Sequence, residues 1–212
     1  MNLDLSSINY SQVRKHYEKR LSISRKLKRL LSTGSERAYV DLALGIDDPY
    51  GNYSADEHKL GPQILARRTY KAIFRLAQLL QVADTPESML DEIYDANIPY
   101  LKVGIGSEIA MLLQPDIHWV ANTRSIWTHL VLKHKSVKIA DEALALYREG
   151  ISESKMAYKM WCAIHKDMEL DLRSLATKSA QMAKKQNVEP GNLVFLWADA
   201  VANALYELHF GS

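Results

Sequence analysis

Apolar residues recur three and four positions apart along most of the chain, the spacing of one face of an α-helix. Strand-like alternation is scarce: Val103 to Ile105 is short and glycine-rich, and the other β-branched residues fall inside helical patterns. The pattern predicts an all-α fold, a compact multi-helix bundle of about nine helices without a fixed-period repeat.

The first helix is expected from about Tyr10 to Ser32, stopping at Thr33-Gly34, and a short second one from Glu36 to Leu44, stopping at Gly45. A polar loop of turn-forming residues follows from Ile46 to Ser54. Pro62 suits the first turn of a long third helix through Gln81, and Thr85-Pro86 reads as a cap and first turn for a fourth through Ala96. Further helices are expected from Tyr100 to Leu113, interrupted by Gly104 and Gly106, then from His118 to His134 and from Val137 to Arg148. Ser152 is placed to cap a long helix to about Gln186. The last, from Asn192 to Leu208, is apolar on most faces and is expected to be a buried central element.

The first helix changes the picture from ordinary to polarised. At about 100° per residue, Tyr10, Val13, Tyr17, Leu21, Ile23, Leu27, Leu30 and Leu31 gather over half the circumference. Arg14, Lys15, Lys19, Arg25, Lys26 and Arg29 occupy the other half. Lys28 falls at the edge of the apolar arc, and Arg20 falls inside it, from where its head is expected to snorkel outward. Between Ser11 and Leu31 eight lysines and arginines stand against one acid, so this stretch carries +7 in a chain whose total is +2. Residues 1–34 are therefore expected to form a basic helix packed on a helical body of residues 35–212, together one structural domain.

Crowded like charges repel unless an anion neutralises them, and phosphate backbones supply regular anions with release of counterions. A second basic run, Arg67, Arg68 and Lys71 with Arg75, extends the track, with Tyr70 as a stacking face. Neither run matches a base-reading motif, so the expected partner is RNA or DNA held through its phosphates. An acidic protein, a second copy of the chain or a membrane surface also suits a cationic amphipathic helix. Asp47, Asp48, Asp56, Glu57, Glu87, Asp91, Glu92 and Asp95 are the acids that a self-neutralised face would draw on.

Candidate chemistry is sparse. One cysteine, Cys162, makes neither an internal disulfide nor a cysteine-based zinc site and is expected as a buried thiol. His118, His129 and His134 with Asp116 or Glu108 lack zinc spacing, and the acids of the Asp47–Glu57 region lack the alternation of a calcium loop, so no metal or other cofactor is expected. Lys102-Val103-Gly104-Ile105-Gly106-Ser107 lacks the full spacing of a nucleotide-binding loop. It reads instead as glycines permitting close helix packing, with Ser107 as a cap.

Arg124-Ser125-Ile126-Trp127-Thr128-His129 resembles the Arg-x4-6-His motif of the HEPN ribonucleases, small helical proteins that dimerise around it. That resemblance covers six residues. It implies metal-independent RNA cleavage, with His129 handling protons and Arg124 stabilising phosphate charge. The favoured expectation remains a noncatalytic nucleic-acid binder, an accessory subunit of a nucleoprotein assembly. A ribonuclease and a protein-interaction scaffold are the alternatives. The N-terminus lacks a secretory pattern and no apolar run approaches a membrane span of roughly 20 residues, so the expected location is cytoplasmic, without membrane insertion.

Overall fold

The computed structural model describes residues 4–149 and 155–211, with side chains described outside 146–157. Among the described residues there are eleven α-helices, nine of them of seven or more residues, and no strand. The chain is all-α. Its contacts divide it into two compact units, Met1–Tyr17 with Ala121–Ser212 and Glu18–Val120.

Helix α1, Tyr10–Ser32, contributes its first two turns to the first unit and the rest to the second. The first unit also holds α8 (Thr123–His134), α9 (Val137–Glu149), α10 (Lys155–Lys185) and α11 (Val194–Phe210). Helix α8 packs on α9, α10 and α11, and α10 packs on α11. Every residue of α11 from Phe195 to Asn203 is buried, so this helix is the core element that its all-round apolar composition predicts. Trp197 is its centre. Tyr10 stacks on its ring at 6.4 Å and Tyr17 meets it edge-on at 5.8 Å, while its indole N–H donates to Ser179 Oγ at 2.9 Å.

The second unit holds the remainder of α1 with α2 (Glu36–Ala43), α3 (Tyr53–Glu57), α4 (Leu60–Leu65), α5 (Tyr70–Val82), α6 (Pro86–Asp95) and α7 (Val103–Leu113). Helix α5 packs against α2, α6 and α7. Tyr39 meets Phe74 edge-on at 5.5 Å, and Ser24 reaches across to donate to the Leu112 carbonyl at 2.6 Å.

Local signals account for most helix ends. Thr85 and Ser88 form a reciprocal capping box at the start of α6, and Asn122 with Ser125 does the same for α8. The latter begins α8 at Thr123, five residues after the expected start. The expected third helix is two: Thr69 accepts a bond from the Ala72 N–H and caps α5 as a separate helix, leaving 66–69 as a turn after α4. Helix α7 runs through Gly104 and Gly106 without a break, and Ser107 lies buried inside it rather than capping it. Gly106 permits the close packing expected of it, since a Cβ there would stand 2.6 Å from Ile93 Cδ1 on α6. The expected cap at Ser152 lies outside the described residues.

Two further readings are corrected. The last two residues of the expected polar loop, Tyr53 and Ser54, instead begin helix α3, whose amides find acceptors both beside them and far along the chain. Asn52 Oδ1 takes the Ala55 N–H, and Glu108 takes the N–H groups of Tyr53 and Ser54 from 55 and 54 positions away. Cys162 is half-buried rather than enclosed, on a stretch of α10 where Met160 is exposed.

Candidate nucleic-acid interface

Within the first unit, Lys15 is exposed and makes no hydrogen bond or ion pair among the described residues. Arg14 is half-buried and donates to the carbonyls of Glu189 and Pro190, both at 3.1 Å. Within the second unit, Arg25, Lys26, Lys28 and Arg29 are exposed, and none is in an ion pair with a carboxylate. Lys19 is exposed as well, but its ammonium donates to Tyr50 Oη at 3.0 Å and lies 4.6 Å from that ring's centroid. That hydrogen bond raises the lysine's pKa above its ordinary value and keeps the charge in place.

Arg20 departs from the expectation of an outward-snorkelling head. Its side chain is fully buried, with Nη2 2.8 Å from Glu108 Oε1 and Nη1 donating to the Tyr50 carbonyl at 2.6 Å. The guanidinium lies 4.7 Å from the Tyr53 ring centroid. A carboxylate partner inside the unit makes this burial tolerable, and the outward track loses one cation. Lys28 replaces it. The apolar arc of α1 drifts between its two halves, so by Ile23, Leu27 and Leu31 the position of Lys28 has rotated out to solvent.

The second basic run is split by the α4–α5 turn. Arg67 and Arg68 sit in the turn, whereas Lys71 and Arg75 stand one helical turn apart on α5, and all four are exposed. Arg68 is therefore not a helical neighbour of Lys71, as a continuous helix would have made it. Its Nη2 instead donates to the Asn97 carbonyl at 3.1 Å. The turn borders an open depression of about 540 Å³ lined by Glu36, Leu65, Ala66, Arg67, Arg68, Thr69, Tyr70 and Lys71. Arg67, Lys71 and Arg75 make no side-chain hydrogen bond or ion pair among the described residues.

Arg124 and His129 lie five residues apart on α8, about 140° around the helix axis. The Arg124 guanidinium lies 5.8 Å from the Tyr206 ring centroid, on α11. His129 is buried, and its Nδ1 lies 2.8 Å from Asp171 Oδ2 on α10. Burial lowers the imidazole's pKa, opposed by the Asp171 carboxylate, so the neutral ring donates through Nδ1–H. His118 is also buried with a lowered pKa, its Nε2 2.9 Å from the Ala83 carbonyl. Among the described residues no three His, Cys, Asp or Glu side chains come together as a metal cage. Asp48 caps the Tyr50 amide and Asp56 pairs with Lys59.

Among the described residues no helix is long and apolar enough to cross a membrane. No protein family, curated protein or solved structure matches the chain.

Proposed function

We propose that this protein binds nucleic acid through the phosphate backbone, without catalysing a reaction on it, as an accessory component of a nucleoprotein assembly. The observation that carries the reading is the set of exposed cations on α1, Arg25, Lys26, Lys28 and Arg29, none of which is neutralised by a carboxylate among the described residues. These four charges fall within five residues, about 6 Å of helix rise, and no internal partner offsets their repulsion. A polyanion offsets it and releases counterions in doing so. Arg67, Lys71 and Arg75 add unpaired cations to the same unit.

The test is fluorescence anisotropy with labelled RNA and DNA, in single-stranded and duplex form, over about 50 to 200 mM salt. Affinity is expected to fall steeply with salt, and the triple reversal Arg25→Glu, Lys26→Glu, Arg29→Glu is expected to abolish binding with the fold retained by circular dichroism. Unchanged binding in that variant rejects the assigned surface. A lysate pull-down repeated with nuclease separates this reading from the scaffold alternative, since a protein partner survives digestion.

A further inference from the structure

Resting on the nucleic-acid reading above, we infer that the ligand is a single strand, and that the loop between α6 and α7 offers Tyr100 as a platform on which an unpaired base stacks. The loop is built around a tight turn. Ile98 accepts a hydrogen bond from the Leu101 N–H at 3.2 Å, and both of these side chains are buried, so the turn is anchored at its two ends. Its tip is Pro99-Tyr100. Proline suits the first central position, while the second has φ +66° in this chain. A turn of this kind takes glycine or asparagine at that second position, because a Cβ there is crowded.

Here the position holds a tyrosine with 38% of its surface exposed, and its ring and hydroxyl make no ring contact or hydrogen bond among the described residues. A bulky residue in a left-handed conformation, over a third exposed and without a hydrogen bond or ring contact among the described residues, is the kind of local exception that recurs at ligand-binding positions.

The cations tied to this loop select the ligand. The Arg68 guanidinium donates to the Asn97 carbonyl at 3.1 Å, which joins the basic turn between α4 and α5 to this loop. Tyr100 is three residues from Asn97, within about 11 Å along the chain. Arg67 and Lys71 line the depression beside Arg68, and Lys102 follows the turn directly, half-buried. Glu36, on the depression's rim, and Asp95, exposed at the end of α6, are the opposing carboxylates. The cations still outnumber them. Tyr94, at the end of α6, is 43% exposed. Cations for the backbone beside an open aromatic face are the two components that sequence-tolerant recognition of single strands requires. In a duplex the base faces are already stacked, so the tyrosine has nothing to receive.

The experiment compares one labelled sequence as RNA, as DNA and as the blunt DNA duplex, with the wild type, Tyr100→Gly, Tyr100→Asn and Tyr100→Phe. Single-strand affinity is expected to drop at least about five-fold in the glycine and asparagine variants and to be retained with phenylalanine, while duplex affinity stays level. The ribo- and deoxyribo-strands distinguish the two sources of this chemistry, and a drop in either supports the inference. Thermal midpoints are read in parallel. Glycine and asparagine fit a φ of +66°, so both variants should match or exceed the wild type in stability, the opposite of what a structural tyrosine predicts. A 2-aminopurine strand supplies a direct stacking signal, quenched on binding wild type and not on binding Tyr100→Gly.

Single-strand affinity and quenching that are unchanged by loss of the ring, or duplex binding as tight as single-strand binding, overturn the inference while leaving backbone contact intact. Absence of salt-dependent binding to any of the three ligands overturns the underlying reading instead.

Discussion

Arg20 and Glu108 form an ion pair sealed from solvent, with Nη2 2.8 Å from Oε1 and neither side chain exposed. Glu108 has its other acceptor sites filled by the Tyr53 N–H and by the N–H and hydroxyl of Ser54, so one carboxylate both neutralises Arg20 of α1 and starts α3. The pair explains why a cation inside an apolar arc does not belong to the outward track.

Breaking the pair from one side should be severe. Glu108→Ala leaves the Arg20 charge buried without its carboxylate and is expected to cost about 3–5 kcal/mol, read from the urea midpoint. A loss below about 1 kcal/mol, within the range of an ordinary exposed ion pair, would show that the pair is open to water.

The exposed cations should behave in the opposite way. Arg25→Ala, Lys26→Ala and Arg29→Ala are each expected to change stability by no more than about 0.5 kcal/mol. Each should lower the salt slope of nucleic-acid binding by about 0.7 for a single strand or 0.9 for a duplex. A slope that does not move when all three are removed would mean that the phosphates lie elsewhere.

Gly106→Ala tests the approach of α7 to α6. Alanine gains about 1 kcal/mol of helix propensity, but its Cβ would stand 2.6 Å from Cδ1 and 2.7 Å from Cγ1 of the buried, β-branched Ile93. Crowding should win, at about 1–3 kcal/mol. Adding Ile93→Val removes Cδ1 and should recover part of the loss; thermal melts that show stabilisation by the single change would refute the contact.

Acidification should weaken the fold in a defined window. Burial holds His118 and His129 below their ordinary 6.5, so the folded chain binds fewer protons than the unfolded one. Their contribution is complete above pH 6.5 and declines as pH falls from there towards the folded-state values. Asp167, lowered from 3.8 chiefly by its bond to Lys133, acts only in a more acidic range. Urea midpoints should therefore fall between pH 7.5 and 5.5, less so in His118→Gln and His129→Gln. Equal midpoints at the two pH values in the wild type would contradict both assignments.

Tyr10–Ser32 could be read from end to end, because a helix's period, its stop at Thr33-Gly34 and its charged face are all written in neighbouring residues. The same holds for Thr85-Pro86 at the start of α6 and for the apolar α11. These features depend on side chains and amides within a few positions of one another. The burial of Arg20, the Glu108 bonds to the first amides of α3 and the bond from Arg68 to Asn97 have no local cause. Each rests on a partner 29 to 88 positions away, supplied only when packing brings the segments together. Short-range hydrogen bonding and periodicity thus settled most of the helical segments and the stretches that carry cations. Burial among distant neighbours decided which of those charges remain available to a ligand.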